Sequence, residues 1–205
     1  MNNVLYIHGM GGGSDSRIPS ILAETLAGKV NVVVRTYDFD PEIAAGQISG
    51  WVEELKPSLV IGESLGSLHA LKMRNVPRLF VSPALNASIY FQMMAWLTLI
   101  PGMTRLFDRI YRPKDGDRQK LHFTFRVLRK YRCHRCDALA QNSGQSVWAF
   151  FGTHDHYMRT GVVSIRTWQK YFGDTFTTYD GTHFMEEEYV YSLLVPKILN
   201  ILNIK

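Results

Sequence analysis

LVIGESLG, residues 59–66, is the stretch of this sequence that decides its fold. A short apolar run enters a Gly-x-Ser-x-Gly motif centred on Ser64, and a second largely apolar run, 68–73, follows at once. This order of strand, tight turn and helix is typical of the turn that holds a nucleophilic serine exposed at the end of a sheet. Glycines suit both flanks because side chains there would clash within the turn. Ser64 is therefore a candidate nucleophile, and a structural turn serine is the competing interpretation.

Short apolar runs alternate with helix-like segments through most of the chain, a pattern typical of parallel strands joined by crossover helices. Strands are expected at 4–7, 30–37, 59–62, 78–81, 147–151 and 176–179. Helices are expected at 16–27, 44–56, 65–74, 162–172 and 186–202. The near-continuous apolar strands favour a sheet covered by helices on both faces. The sequence therefore predicts an α/β fold with a mostly parallel, doubly wound sheet of about six strands.

One segment interrupts this alternation, because 84–145 separates two consecutive strands by far more residues than a usual crossover. It contains an apolar predicted helix, 88–100, that ends before Pro101 and Gly102. A basic segment, 117–131, follows with a period that fits either a helix or a strand. We therefore expect one domain, 1–205, that carries a helical cap insertion at about 84–145.

The net charge of +5 is concentrated in the same segment. Residues 105–135 contain eleven Lys or Arg and three Asp or Glu, a local charge of +8, so the remaining residues carry −3. Such a segment can attract an anionic substrate group such as coenzyme A or a phospholipid, or it can be a solvated basic surface. Binding of nucleic acid is the weaker interpretation.

The composition and the first residues of the chain indicate where in the cell the protein is expected. With 46% hydrophobic and 20% charged residues the chain has the composition of a globular protein. The longest apolar stretch, 89–100, falls short of the roughly 20 residues that cross a bilayer, so no membrane span is expected. The first residues lack the basic and long apolar regions of a secretory signal, which predicts a cytoplasmic protein.

Only two cysteines, Cys133 and Cys136, are present. A single C-x-x-C outside a βαβ unit is weak evidence for zinc or redox chemistry, so free, partly buried thiols are expected. No metal and no cofactor is predicted.

A serine nucleophile needs a general base and an acid, and after a serine in a strand-turn-helix motif of this kind the acid and then the histidine follow along the chain. His183 lies in the loop after the last predicted strand and is the candidate base, with a helix-start role as the alternative. Asp155 follows the preceding strand and is the candidate acid, with Asp180 as the fallback. His69 is expected to pack in the core behind Ser64.

Backbone N–H groups usually stabilise the oxyanion that forms during acyl transfer. Leu65 follows the nucleophile, and Met10 lies in the glycine loop 8–13 after the first strand, so these two are the candidate donors. The loop lacks the Lys-Ser/Thr of a phosphate-binding P-loop. Contacts with the substrate are expected from His8, Gly9, Glu63, Ile89 and Trp96.

With these motifs the chain resembles the small single-domain bacterial α/β-hydrolases, especially the YqiA-like esterases. The matching pieces are the opening YIHG (6–9), the turn GESLG (62–66), the strand end SPA (82–84), the loop at Asp155 and the close GTHF (181–184). They cover the sheet-forming parts of the chain and leave out 85–145. Such enzymes commonly have Gly-Asp-His where this chain has DGTH (180–183), which is a departure in the base loop.

The resemblance implies the α/β-hydrolase fold and cofactor-free cleavage of carboxylic esters or thioesters through a Ser-His-Asp triad and an acyl-enzyme. The expected partner is a small acyl ester or thioester, with nucleic acid and membrane spans not expected. Two alternatives stay open: a non-catalytic binding protein of the same fold, and an acyltransferase that uses the same triad.

Overall fold

A sheet of six parallel strands forms the centre of the computed structural model, which describes residues 1–112, 115–140 and 146–204. Its strands are ordered β2-β1-β3-β4-β5-β6, so the chain reverses its direction of travel across the sheet after β2. The predicted doubly wound sheet is confirmed. The strands are β1 (Asn2–Ile7), β2 (Val30–Val34), β3 (Leu59–Glu63), β4 (Arg78–Val81), β5 (Val147–Gly152) and β6 (Phe176–Tyr179).

Helices cover both faces of this sheet. In chain order they are α1 (Arg17–Thr25), α2 (Pro41–Leu55), α3 (Gly66–Ala70), α4 (Ala87–Leu97), α5 (Met103–Ile110), α6 (Phe125–Leu139), α7 (His156–Thr160), α8 (Ile165–Phe172), α9 (Glu187–Tyr189) and α10 (Val195–Ile201), with a π-helical turn, Val190–Leu194, joining the last two. The core on one face includes α1, the π-helical turn and α10. The other core includes α2, α3 and α8, together with the helices between β4 and β5.

The strands are apolar on both sides because both faces are covered. In β1, Val4 and Tyr6 point into the core beneath α1, whereas Leu5 and Ile7 point into the opposite core. All four side chains are almost fully buried. A continuous apolar run is thus what a two-sided sheet requires, and polar residues appear where the strands end.

Several predicted elements are shorter in the structure, and two of them lose three or more residues at their C-terminal end. The strand expected at 30–37 ends at Val34, where the pairing with β1 ends, and Tyr37 turns into the core to donate a hydrogen bond to the His8 carbonyl (2.6 Å). The helix expected at 65–74 ends at Ala70, and the buried Arg78 donates to the carbonyl of Leu71 (2.8 Å) just beyond it. Both differences arise from contacts between residues that are distant in sequence.

In the described part of the stretch between β4 and β5, where the insertion is expected, there are three helices. The ambiguous segment 117–131 is non-helical up to Thr124, whose hydroxyl accepts from the Val127 N–H (3.3 Å) and caps α6. Rings of Phe91 on α4 and Tyr131 on α6 meet at 4.9 Å, so these two helices pack together. Helix α5 was not predicted, and the parts of the expected insertion at 113–114 and 141–145 lie outside the described residues. Across the described residues, no helix is long and apolar enough to cross a membrane.

The two cysteines lie on α6 and are free and exposed. The expectation of partial burial was wrong. Helix α6 buries the side that carries Leu128, Tyr131 and Ala138, and a rotation of about 100° per residue places both cysteines on the opposite side.

Buried imidazoles form a row in the core beside α3. The ring of Tyr37 stacks on His8 (4.4 Å) and meets His69 edge-on (5.0 Å), and His69 lies 4.5 Å from His134. Within the described residues, both ring nitrogens of His69 and Nε2 of His8 and His134 lack hydrogen-bond partners. Burial lowers the pKa of His8 and of His134 to about 4, and it lowers the pKa of His69 well below its ordinary value.

The three buried histidines should make the stability of the fold sensitive to acid. Their folded-state pKa values lie below the unfolded value of about 6.5, so the stability that they contribute is complete above that pH and is lost as pH falls towards about 4. The loss should be roughly 1 kcal/mol per pH unit for each histidine. Urea unfolding at several pH values measures it. His134→Phe should reduce the slope and the exposed His122→Phe should not; a stability that is flat across this range would contradict the prediction.

Candidate active site

Ser64 lies in a strained turn between β3 and α3. Its φ of 48° lies in the left-handed region, which a non-glycine residue adopts at a cost of about 1–3 kcal/mol when its surroundings hold it there. The Ser64 N–H donates to the Val81 carbonyl (2.9 Å), which ties the turn to β4. A Cβ on Gly62 would lie 2.8 Å from Cβ of Ala70. The turn thus raises the serine side chain at the carboxyl edge of the sheet.

Gly66 allows this turn to sit against the neighbouring strand. A Cβ at this position would collide with the carbonyl oxygens of Ile7 and His8 at the end of β1. Helix α3 can therefore begin directly above β1 only if residue 66 has no side chain. The same approach brings the glycine loop against the serine, since a Cβ on Gly9 would lie 3.1 Å from Cβ of Ser64.

His183 joins Ser64 to Asp155. Its Nε2 lies 2.9 Å from Ser64 Oγ, and its Nδ1 lies 2.7 Å from Asp155 Oδ2. A carboxylate only accepts hydrogen bonds, so Nδ1 carries the proton and Nε2 accepts from the serine hydroxyl. Asp155 and His183 are 2% and 3% exposed, which shields this chain of hydrogen bonds from water. The three side chains come from the loops that follow β3, β5 and β6.

The surrounding groups fix both partners of the imidazole. Asp155 is the N-cap of α7, and its Oδ1 accepts from the Tyr157 N–H (2.8 Å), which leaves Oδ2 for the histidine. The ring of Tyr157 packs edge-on against His183 at 4.6 Å. The alternative acid, Asp180, lies on the surface and contacts His154 instead (2.7 Å).

The base loop of this chain, with its DGTH sequence, has its own support. The Thr182 hydroxyl donates to Glu186 Oε1 (2.7 Å), and its N–H also donates to that atom (3.0 Å). A Cβ on Gly152 would collide with the carbonyls of Gly181 and Thr182, so the glycine at the end of β5 lets the loop approach. These contacts hold the backbone on which His183 is mounted.

Leu65 and Met10, the two candidate oxyanion donors, line the same cavity as Ser64. Among the described residues, neither Leu65 N–H nor Met10 N–H donates a hydrogen bond. Gln119 positions the glycine loop, because its Oε1 accepts from Gly11 N–H (3.0 Å) and its own N–H donates to the Gly12 carbonyl (2.8 Å). Gln119 was missed from the sequence, since no local pattern relates it to a loop more than a hundred residues earlier.

A cavity of about 790 Å³ opens at Ser64 and His183. One wall is the inner side of α4, including Phe91 and Met94, and another is the glycine loop with Gly9 and Met10. Three arginines also contribute to the wall, namely Arg17, Arg112 and Arg118. The lining is mainly apolar, and its polar residues include Ser64, His183 and Glu63.

Three of the five residues expected to contact substrate lie elsewhere. Gly9 and Glu63 line the cavity, but His8 is buried behind the loop with Nδ1 2.7 Å from the Gly9 carbonyl. Ile89 and Trp96 are 54% and 59% exposed and are not part of the cavity wall. The prediction that Ile89 and Trp96 contact substrate is therefore wrong. The period of the helix directs other α4 side chains to the cavity, namely Ala87, Tyr90, Phe91 and Met94.

Glu63 occupies the variable position before the serine. Burial raises the pKa of its carboxyl group, whereas the hydrogen bond from Tyr6 (2.9 Å) and the charge that His183 can carry oppose this shift. Glu63 is therefore an acidic group in the cavity wall, and Tyr6 on the neighbouring strand β1 holds it by a hydrogen bond.

Solved structures of low sequence identity share this architecture. Mouse α/β hydrolase domain-containing protein 10 superposes with a TM-score of 0.66 at 12% identity, covering 98% of this chain and 89% of that one. Est1E from Butyrivibrio proteoclasticus, solved with ferulic acid, gives 0.63 at 19% identity over 97% and 90% of the two chains. A carboxylesterase structure from the thaumarchaeon Nitrososphaera gargenis gives 0.62 at 12% identity over 98% and 91%. No protein-family model matches the sequence, and no curated protein sequence matches it significantly.

The chain has the α/β-hydrolase fold, as the sequence predicts. Identities this low relate the folds alone, and the likeness to YqiA-like bacterial esterases remains a resemblance of motifs. The activity has to be argued from the site.

The collision at Gly66 predicts a large effect of one methyl group. Gly66→Ala should destabilise the protein by about 2 kcal/mol or more, because backbone carbonyls of β1 would have to move. Gly46→Ala is the matched control: its Cβ would meet nothing within 4 Å on α2, so it should stabilise by about 0.5–1 kcal/mol. Thermal unfolding measures both, and equal effects would contradict the packing described.

Proposed function

We propose that this protein is a serine hydrolase that cleaves carboxylic ester or thioester bonds through an acyl-enzyme. The observation that carries the proposal is the unbroken chain of hydrogen bonds from Ser64 through His183 to Asp155, placed at the base of an apolar cavity. A binding protein of this fold would need the cavity but not this chain of groups. The nucleophile, the base and the group that orients the base are each within hydrogen-bond distance of the next.

The first half-reaction forms a covalent ester on the serine. Oγ of Ser64 attacks the carbonyl carbon while Nε2 of His183 takes the hydroxyl proton. The negative charge on the former carbonyl oxygen accepts hydrogen bonds from the N–H groups of Leu65 and Met10. When this intermediate collapses, the bond to the alcohol or thiol breaks, and the leaving group takes the proton from His183.

The second half-reaction restores the enzyme. Nε2 of His183 takes a proton from water, whose oxygen attacks the acyl carbon, and the carboxylic acid leaves as the proton returns to Ser64. Asp155 keeps the imidazole in one tautomer and stabilises its positive charge in both steps. Transfer of the acyl group to an alcohol would use the same groups with a different acceptor, so water access decides between hydrolysis and transfer.

The cavity fits an acyl group with an anionic remainder. Phe91, Met94 and Leu121 offer apolar contact for the acyl part. Arg17 is held by the carbonyls of Phe184 and Met185 (3.0 and 2.7 Å), and Arg118 pairs with Asp15 (2.9 Å). Arg17 and Arg112 are both exposed, and Arg112, which has no ion pair or hydrogen bond among the described residues, is the one we assign to an anionic group on the substrate.

Removal of the nucleophile tests the proposal. Ser64→Ala should lower kcat for a nitrophenyl ester by roughly 10⁴-fold or more, because no other group can form the acyl-enzyme. Ser20→Ala, an exposed serine on α1, should keep the wild-type rate. Purified proteins in a steady-state assay give the comparison, and residual turnover near wild type in Ser64→Ala would reject the mechanism.

The two aspartates give a second test. Asp155→Asn should lower kcat by about 10⁴-fold while the protein stays folded, because an amide can donate to Nδ1 and favour the wrong tautomer of His183. Asp180→Asn removes a surface contact with His154 and should change kcat little. The reverse ranking of the two variants would assign the orienting role to Asp180.

A further inference from the structure

Helix α4 is apolar on its outer side as well as on its inner side. Its inner side buries Phe91 and Ala95, and its sequence contains no charged residue. The side chains that face outward are Ile89, Met93, Trp96 and Leu97, which are 44–64% exposed. A helix on the surface of a soluble protein normally presents polar residues to water. The outer side of α4 is therefore unusual for a surface that stays in water.

More exposed apolar side chains follow α4 along the chain. Leu99 and Ile100 in the following turn are 57% and 52% exposed, and Leu106 and Ile110 on α5 are 45% and 61% exposed. We call the exposed apolar side chains from 89 to 110 the outer apolar face. Eight exposed large apolar side chains between 89 and 110 indicate an interaction surface, since exposed apolar residues are normally scattered singly.

Positive charge borders the outer apolar face. Arg105 and Arg109 lie one turn apart on α5, next to the row formed by Leu106 and Ile110, and Arg112 follows the helix. Asp108 is the one acidic residue in this stretch. Within the described residues none of these arginines forms an ion pair. An apolar surface bordered by arginines complements an anionic lipid surface, into which apolar side chains insert while the guanidinium groups meet the headgroups.

A second copy of the chain fits the same face less well. A symmetric contact would bring the arginines of two copies together, and like charges in an interface oppose association. Trp96 on this face and Tyr111 beside it are also the residue types that favour the boundary between water and lipid. Charge therefore favours lipid as the occupant.

The outer apolar face also adjoins the mouth of the cavity. Tyr90 and Met94 on α4 line the cavity, one position along the helix from Ile89 and Met93 on the outer side. Tyr111, which follows the outer apolar face along the chain, also lines the cavity and is 39% exposed. Side chains of the outer apolar face therefore lie next in sequence to residues that line the cavity containing Ser64.

We propose that the outer apolar face docks on the surface of an anionic lipid bilayer, and that the enzyme takes its ester substrate from that layer. The second half of this proposal rests on the proposed hydrolase function, whereas the docking does not.

Vesicle binding tests the docking. Wild-type protein should float with vesicles of phosphatidylcholine mixed with phosphatidylglycerol and bind phosphatidylcholine alone less. Met93→Glu and Leu99→Glu should each weaken binding by about tenfold or more, because a charge replaces an inserted side chain. Ile43→Glu on α2, 52% exposed and outside this face, is the matched control and should bind as wild type.

Three results would overturn the docking: no flotation with either vesicle, equal loss in the Ile43→Glu control, or a dimer in light scattering that Met93→Glu dissociates.

An activity comparison keeps this outcome separate from the hydrolase proposal. Met93→Glu should hydrolyse a short soluble nitrophenyl ester at the wild-type rate but a long-chain ester carried in anionic vesicles about tenfold more slowly. Equal rates on the vesicle-borne ester would reject the lipid layer as the substrate source, whereas failure of wild type on the soluble ester would count against the hydrolase function.

Discussion

The approach of α3 to the end of β1 is the contact on which the rest of the site depends. Residue 66 has to lack a side chain for the helix to start there, and the backbone at Ser64 has to accept a left-handed conformation. The left-handed backbone at Ser64 is unfavourable by itself. The sheet holds it in place through the hydrogen bond from Ser64 N–H to the Val81 carbonyl at the end of β4. The serine hydroxyl, the Leu65 N–H and the glycine loop are all positioned by this one junction.

The parts of the fold that follow from short-range pattern were predicted well. Apolar runs mark β1, β3, β4 and β5 closely, because these strands are buried on both faces of the sheet. The positions of Ser64, Asp155 and His183 could be chosen from the strands that precede them, and their side chains meet within hydrogen-bond distance. Parallel strands place their carboxyl ends at one edge of the sheet, which is why chain order carries this information.

What the sequence did not reveal depends on contacts across long separations. Gln119 supports the glycine loop from another part of the chain, and Arg78 caps α3 from the next strand. The side of α4 that faces the cavity depends on the rotation of the helix against α6, so Ile89 and Trp96 were assigned to the wrong surface. Their exposure instead places both side chains on the outer apolar face.

The central claim is that Ser64 is a nucleophile activated by His183. The most direct measurement is reaction with a fluorophosphonate followed by peptide mass spectrometry. We expect a single adduct on the peptide that contains Ser64, formed quickly in wild-type protein and at least a hundredfold more slowly in His183→Ala, which lacks the base. An adduct on another residue, or a labelling rate that does not depend on His183, would contradict it.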